Sequence, residues 1–275
     1  MKDNAYDTIS SRRECLHYMR AVIKVGTSTL THGTGHLNIR RMEELCRVMS
    51  DLKNAGHELI LVSSGAIGMG RGKLGLRERP ADIPGKQAAA AVGQCELMYV
   101  YDKHFSEHHH AVAQILLTAE DLRDPGRRHN FENTLFRLLE WKALPIINEN
   151  DTVATAELGI GDNDTLAART AVCARAELLV LLSDIDGLYD ADPRTNPQAK
   201  LIPTVPALTP EIEALAGGSG SSLGTGGMTT KLTAARIVTD AGIDMVIANG
   251  SSPAVLYDIL EGKDVGTRFS GIRKG

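Results

Sequence analysis

Six short apolar runs constrain the fold of this chain more than any other feature of its sequence. They occupy residues 21–25, 58–62, 112–117, 144–147, 178–182 and 244–248. Their apolar character is nearly continuous rather than alternating, as in parallel strands that are covered on both faces. The pattern predicts an α/β protein, with a three-layer α/β/α sandwich built on a mainly parallel open sheet.

The segments between these runs show the three- and four-residue spacing of amphipathic helices. In the first crossover this spacing extends from residue 42 to residue 52, with Asn38 before it as a cap and Gly56 after it. Further helices are predicted at residues 86–105, 128–141, 165–174, 230–241 and 253–261.

Composition narrows the class of ligand. The 275 residues carry a net charge of -4 and only 4% are aromatic, which gives little attraction to nucleic acid and little surface for stacking bases. The four cysteines form no Cys-x-x-Cys pair, so neither a disulfide framework nor a zinc site is indicated. No signal-peptide core or long apolar segment is present. We therefore expect a cytoplasmic protein that binds small molecules, with no nucleic acid and no membrane among its partners.

A glycine-rich segment precedes the helix predicted at residues 230–241. It reads Gly224-Thr225-Gly226-Gly227-Met228-Thr229-Thr230-Lys231. Glycine N–H groups can approach a phosphate closely, a helix N-terminus favours anions, and Thr229 or Thr230 can cap the helix. No Gly-Lys pair of the chain is followed by Ser or Thr, so the segment is not a Walker loop. Residues 217–227 are mostly Gly and Ser, which predicts a mobile loop that serves as a lid or a linker.

Lys24 interrupts the first apolar run just before Gly26-Thr27-Ser28, at the carboxyl end of the predicted strand. Ligands bind at that edge of open α/β sheets. A buried ammonium needs a carboxylate or a ligand phosphate, and the alternative is a lysine that reaches solvent at the sheet rim. The second strand ends in Ser63-Ser64-Gly65-Ala66, whose small residues suit either a ligand-facing turn or a plain one.

Acidic and amide side chains are concentrated after two later strands. Residues 148–151 read Asn-Glu-Asn-Asp and residues 161–164 read Gly-Asp-Asn-Asp. They can bind an ammonium group, orient lysines or hold a divalent cation, or they form an ordinary polar loop with a helix cap. Residues 183–189, beginning Ser183-Asp184, fit a nucleotide-binding loop or a plain acidic turn, and they lack the spacing of a calcium loop.

Taken together, these motifs resemble the glutamate 5-kinases of the amino acid kinase family. The resemblance covers residues 21–269 and rests on the segments at residues 23–28, 62–66, 147–151, 161–164, 187–189, 191–194 and 224–231. It implies a kinase domain at residues 21–270 between an N-terminal extension, residues 1–20, and a tail, residues 271–275. Another carboxylate or carbamate kinase of the same fold, or a non-catalytic nucleotide or amino acid sensor, remains an alternative.

The resemblance implies transfer of the ATP γ-phosphoryl group to the side-chain carboxylate of L-glutamate, the first step of proline biosynthesis. It implies catalytic positions at Lys24, Lys231 and Asp164, with Asp164 holding the two lysines. Glutamate would be bound by Ser64, Asp151 and Asn163. The residues implied for ATP binding are Lys24, Ser183, Asp184, Thr225, Gly226, Gly227, Met228, Thr229, Thr230 and Lys231.

The cofactor and partners implied are ATP with Mg²⁺, and L-glutamate. The resemblance also implies proline as a feedback inhibitor, a homo-oligomer, and a transient complex with glutamate-5-semialdehyde dehydrogenase. Many relatives carry a C-terminal PUA domain, for which we expect no room before Gly275. That expectation leaves open the oligomer, the strength of proline inhibition, and whether the chain is a truncated form or the kinase part of a bifunctional synthase.

Overall fold

The computed structural model describes residues 18–32, 36–154, 163–215 and 227–273. Within these ranges eight strands form one sheet. Their bounds are β1 Arg20–Val25, β2 Glu58–Ser63, β3 Val112–Leu117, β4 Leu144–Glu149, β5 Leu178–Ser183, β6 Thr204–Val205, β7 Asp244–Asn249 and β8 Thr267–Phe269. All six strands predicted from the apolar runs are confirmed. The two that were not predicted, β6 and β8, are too short to give a periodic signal.

Helices fill the segments between the strands. Their bounds are α1 Thr27–Leu30, α2 Ile39–Asn54, α3 Ala66–Lys73, α4 Ile83–Ser106, α5 Ala119–Arg123, α6 Pro125–Glu140, α7 Asn163–Cys173, α8 Pro210–Ala214, α9 Met228–Asp240 and α10 Val255–Leu260. The six predicted helices are confirmed, and Asn38 caps α2 by accepting a hydrogen bond of 3.2 Å from the Arg41 N–H. Within the described ranges, no helix combines the length and the apolar character needed to cross a membrane.

The strands lie in the order β3-β4-β2-β1-β5-β7-β8-β6. Every pairing is parallel except that of β7 with β8, so the predicted mainly parallel open sheet is confirmed. β1 occupies the centre, where Lys24 lies opposite Val62 of β2 and Leu181 of β5. The carboxyl ends of β1, β2, β4, β5 and β7 therefore meet at one edge of the sheet, where open α/β sheets bind their ligands.

Helices cover both faces of the sheet. Val22 belongs to a buried cluster with residues of α6, α7 and α9, whereas its neighbour Ile23 belongs to a second cluster with residues of α2, α4 and α10. Successive strand residues point to opposite faces, so the two clusters are separate cores on either side of the sheet. The predicted three-layer α/β/α sandwich is confirmed.

The helices α3 and α4 contact each other backbone to backbone. A Cβ atom added at Gly93 of α4 would lie 1.7 Å from the Ala66 carbonyl oxygen, and one added at Gly70 of α3 would lie 1.8 Å from the Ala89 carbonyl oxygen. Only glycine allows this approach. The contact holds the start of α3, and with it the turn after β2, against the middle of α4.

Candidate active site

The carboxylate of Asp164 lies between two buried lysines. Its Oδ1 is 2.7 Å from Lys24 Nζ and its Oδ2 is 3.1 Å from Lys231 Nζ. Burial by itself raises the pKa of Asp164, but the two ammonium charges outweigh that effect and lower it to about 2. At neutral pH these three side chains therefore carry one negative and two positive charges, an arrangement suited to binding an anion.

Three elements bring this triad together. Lys24 is the last residue but one of β1, Asp164 lies in the first turn of α7, and Lys231 lies in the first turn of α9. All three are buried, with exposed fractions of 8%, 1% and 5%. The structure thus assembles the three positions that the resemblance implies, and their catalytic roles remain predictions.

Thr230 forms a further contact to the same carboxylate. Its Oγ1 lies 3.0 Å from Asp164 Oδ2 and 2.8 Å from the carbonyl oxygen of Gly227. Gly227 occupies the N-cap position of α9, and no side chain makes a cap hydrogen bond there. The prediction that Thr229 or Thr230 caps this helix is therefore wrong, because both residues lie inside its first turn.

Asn163 connects the triad to the turn after β2. Its Nδ2 donates to the Ser63 carbonyl at 3.0 Å, to Ser64 Oγ at 2.7 Å and to Asn148 Oδ1 at 3.0 Å. Asn148 in turn donates to Gln94 Oε1 at 2.8 Å. The buried Oδ1 of Asn163 accepts no hydrogen bond from the described part of the protein, and an orphaned buried acceptor of this kind indicates a missing donor, such as a ligand.

Asp151 lies in the turn that follows β4 and lines a cavity of about 400 Å³. Gln94 of α4 lines the same cavity. Burial raises the pKa of Asp151 to about 6, partly offset by the charge of Arg79. The turn is held to α4 by a hydrogen bond of 3.2 Å from Gln87 Nε2 to the Ala154 carbonyl. The predicted acceptor residues Ser64 and Asn163 are in contact. Asp151 shares its cavity with Gln94, which is linked to Asn163 through Asn148.

A second cavity of about 470 Å³ lies at the ends of β5 and β7. Five of the residues implied for ATP binding line it: Ser183, Asp184, Gly227, Met228 and Lys231. Three others, Lys24, Thr229 and Thr230, are not part of its wall. Thr225 and Gly226, like most of the predicted lid, lie outside the described residues.

Sequence reasoning missed two polar residues at these cavities. Asn249, at the end of β7, lines the larger cavity and donates to Asp186 Oδ1 at 2.8 Å. Its position directly after a predicted strand is a signal that would have found it. Gln94 had no such signal, because it is a polar residue within a predicted helix.

An α/β/α sandwich holds two buried lysines on one carboxylate at the carboxyl edge of its sheet, and one of those lysines lines a cavity there. This is the architecture of a small-molecule kinase. The model of the family described as "Amino acid kinase family" matches residues 19–249. The chain belongs to the amino acid kinase family.

The similar curated proteins include glutamate 5-kinases. That of Clostridium perfringens (strain 13 / Type A) is 53% identical over 91% of this chain and 94% of its own length. That of Symbiobacterium thermophilum is 54% identical over 94% of this chain and 98% of its own length. The resemblance to glutamate 5-kinases stated from the motifs is thus confirmed.

Among solved structures, carbamate kinase from Giardia lamblia bound to AMP-PNP superposes with a TM-score of 0.65 at 16% identity. The match covers 94% of this chain and 100% of that one. At this identity the likeness supports the fold alone.

Proposed function

We propose that this chain transfers the γ-phosphoryl group of ATP to the side-chain carboxylate of L-glutamate, giving L-glutamyl 5-phosphate and ADP, the first step of proline biosynthesis. The observation that carries the proposal is the pair of buried lysines, Lys24 and Lys231, on the two oxygens of Asp164. Lys231 lines one cavity, which we assign to the nucleotide. We assign the other cavity to glutamate; its lining residue Gln94 is linked to Asn163 by hydrogen bonds through Asn148. The relatives named glutamate 5-kinases support glutamate as the acceptor.

Asp151 in the smaller cavity and Asn163 in the hydrogen-bonded amides linked to it through Gln94 offer acceptors for the ammonium group of glutamate. Asp151 keeps a pKa of about 6 and is therefore mainly ionised at neutral pH. The buried Oδ1 of Asn163 has no hydrogen-bond donor among the described residues. An N-acylated substrate carries no ammonium and would leave both acceptors unsatisfied, at a cost of about 1–3 kcal/mol for each buried group.

The reaction needs no general base. The side-chain carboxyl of glutamate has a pKa near 4.3 and is already ionised at neutral pH. Its oxygen attacks the γ-phosphorus, a new O–P bond forms, and the bond to the β,γ-bridging oxygen breaks, leaving ADP with the electron pair. Lys24 and Lys231 stabilise the charge on the transferring group, and Asp164 acts as the positioning residue that holds both ammonium groups.

The nucleotide cavity fits ATP accompanied by Mg²⁺. Among the described residues, no three His, Cys, Asp or Glu side chains converge to hold a metal ion, and each oxygen of Asp164 faces a lysine. This donor set fits a Mg²⁺ ion held mainly by phosphate oxygens and water, as is usual for this cation, with Asp184, Asp186 and Asp192 as the carboxylates that line the cavity. Mg²⁺ would neutralise charge on the phosphates of ATP.

Other features of the proposal rest on the sequence alone, through its composition and the resemblance. We propose a cytoplasmic homo-oligomer, with proline as a feedback inhibitor and a kinase domain at residues 21–270. The acyl phosphate product is labile, so we also propose a transient complex with glutamate-5-semialdehyde dehydrogenase. Kinetic channelling measurements with that enzyme test the complex, and turnover with added proline tests the inhibition.

An acyl phosphate trap tests the proposed reaction directly. The protein is incubated with ATP, Mg²⁺ and hydroxylamine, with L-glutamate, N-acetyl-L-glutamate or L-aspartate as the acceptor. We expect a hydroxamate with L-glutamate and at least 100-fold less with the other two acids. Absence of a hydroxamate with L-glutamate, or an equal yield with the acetylated acid, would contradict the proposal.

A further inference from the structure

The side-chain amide of Gln94 has an orientation that its neighbours determine. The Ser63 carbonyl can only accept, so the atom of Asn163 that faces it is Nδ2. The Glu149 N–H can only donate, so the atom of Asn148 that lies 2.9 Å from it is Oδ1. Asn148 therefore presents its Nδ2 to Gln94, whose Oε1 accepts at 2.8 Å. This chain of contacts directs the Nε2 of Gln94 away from Asn148.

The Nε2 of Gln94 has no hydrogen-bond acceptor within the described ranges, although the residue is only 9% exposed. Gln94 lines the cavity that also contains Asp151. A nearly buried amide N–H₂ group without a protein partner needs an acceptor from water or from a ligand. The cavity thus presents an acidic acceptor, Asp151, and a neutral donor, Gln94.

We infer that Gln94 is a specificity-determining residue that donates its Nε2 hydrogens to the carboxylate on the α-carbon of the substrate. This inference rests on the proposed function, since it assigns the part of glutamate that does not react. The ammonium and carboxylate groups of an amino acid share one carbon, so the residues that bind them must line the same cavity, as Asp151 and Gln94 do. A neutral donor suits this cavity, because a cationic one would pair with Asp151 and compete with the substrate ammonium.

The test compares L-glutamate with 4-aminobutyrate, which retains the ammonium group and the reacting carboxylate but lacks the carboxylate on the α-carbon. The variant Gln94→Glu keeps an oxygen that can accept from Asn148 and replaces the N–H₂ group by an oxygen that repels a carboxylate. We expect its KM for glutamate to rise about 10- to 100-fold, the loss of a hydrogen bond to a charged group. The KM for ATP stays within about twofold, and the inhibition constant of 4-aminobutyrate stays unchanged or falls.

Two further variants make the result specific. Gln198→Glu makes the same substitution at an exposed position that lines neither cavity, and its KM for glutamate is expected to change less than threefold. Gln94→Met removes the amide without adding charge and serves if Gln94→Glu does not fold. In both Gln94 variants the KM for glutamate should rise at least fivefold more than the inhibition constant of 4-aminobutyrate.

The inference would be overturned if the Gln94 variants raised the KM for glutamate and the inhibition constant of 4-aminobutyrate by the same factor. Such a result would show that Gln94 acts only by holding Asn148. An unchanged KM for glutamate in Gln94→Glu would also overturn it, as would a rise of the same size in Gln198→Glu. These outcomes are distinct from failure of the proposed function, in which the unsubstituted protein itself forms no hydroxamate from glutamate.

Discussion

Asp164 and Lys231, 67 positions apart in the chain, form a buried ion pair in which the lysine Nζ lies 3.1 Å from Oδ2. The other oxygen of the same carboxylate lies 2.7 Å from Lys24 Nζ. One carboxylate thus orients two ammonium groups that come from β1 and α9. Because burying these charges is costly, the pairing has to be maintained before an anionic ligand arrives.

Replacing Asp164 by Ala should impair both turnover and folding. The two lysines would lose the carboxylate that orients them, so we expect kcat to fall at least 100-fold. Leaving buried charge without its partner should lower the free energy of unfolding by about 3–5 kcal/mol. Steady-state kinetics and urea unfolding measure the two effects, and a variant with normal kcat would contradict the positioning role.

The pH dependence of unfolding provides a separate test of Asp164. Its pKa is about 2 in the folded protein, against 3.8 for an aspartate of an unfolded chain, so its ionisation stabilises the fold above pH 3.8. That contribution is lost as pH falls through about 2. We therefore expect the stability difference between the protein and Asp164→Asn to be largest near neutrality and to narrow from about pH 4 downward. A constant difference down to pH 2 would contradict this assignment.

Replacing Lys231 by Met should affect turnover much more than nucleotide binding. If Lys231 mainly stabilises charge that develops during transfer, kcat should fall at least 100-fold while the Kd for ATP changes less than about tenfold. Asp164 keeps Lys24 as its partner, so the loss of stability should be smaller than in Asp164→Ala. Lys263→Met, at an exposed lysine that pairs with Asp258, serves as the control. Equal falls in kcat and ATP affinity would assign Lys231 to ground-state binding.

Thr230 is expected to support Asp164 from the first turn of α9. Its single hydroxyl proton has two acceptors within 3.0 Å, Asp164 Oδ2 and the Gly227 carbonyl. Thr230→Val removes this donor, and we expect a loss of about 1.5–3 kcal/mol in unfolding free energy together with a several-fold lower kcat. Thr233→Val is the matched control, because the exposed Thr233 hydroxyl donates only to the Thr229 carbonyl, at 2.9 Å. Equal effects of the two substitutions would remove Thr230 from the site.

The sheet could be predicted from the sequence because buried parallel strands have a nearly continuous apolar character. The helix α3 could not, since Gly68, Gly70 and Gly72 lower its intrinsic helix propensity, and its stability comes from packing on α4 instead. The pairing of Lys24 with Lys231 also could not be derived from spacing. It depends on which strand ends become neighbours, and only the family resemblance indicated it.

The hydrogen-bonded amides of Asn163, Asn148 and Gln94 also could not be predicted in full from the sequence. Asn148 was visible as part of a polar segment after a strand, whereas Gln94 has no distinguishing feature within α4. Its partner is set by the register between α4 and β4, which tertiary packing determines. Local periodicity therefore predicted the elements, and contacts between distant elements supplied the details of the site.

The contact between α3 and α4 predicts opposite effects for two glycine substitutions. Gly93→Ala would place a Cβ 1.7 Å from the Ala66 carbonyl oxygen, so we expect a loss of at least about 3 kcal/mol in unfolding free energy. At Gly68 the nearest atom to an added Cβ is Thr27 Cγ2, at an ordinary 3.5 Å. Gly68→Ala should therefore be neutral or stabilise the protein by up to about 1 kcal/mol, through helix propensity. Urea unfolding of both variants tests the contact, and a harmless Gly93→Ala would disprove it.

Protonation of Asp151 should lower kcat/KM for glutamate at acidic pH. Burial raises its pKa to about 6 in the ligand-free protein, and only the ionised carboxylate attracts the substrate ammonium. We expect kcat/KM for glutamate to fall below about pH 6, reaching roughly one tenth of its plateau at pH 5. At saturating glutamate the bound ammonium group stabilises the ionised form of Asp151. We therefore expect kcat to decrease less than kcat/KM over the same pH range.

The variant Asp151→Asn distinguishes the effect of protonating Asp151 from the effect of protonating the nucleotide. Its KM for glutamate should rise at least 10-fold at neutral pH, because a neutral amide replaces the carboxylate. Between pH 7 and pH 5, the decrease in kcat/KM that protonation of Asp151 causes should be absent from this variant. Any decrease that protonation of the ATP phosphates causes should remain. Measuring both proteins from pH 5 to pH 8 with excess Mg²⁺ decides the matter. An acid limb of the same size in both would show that another group titrates, and that Asp151 is not the residue that selects the ammonium.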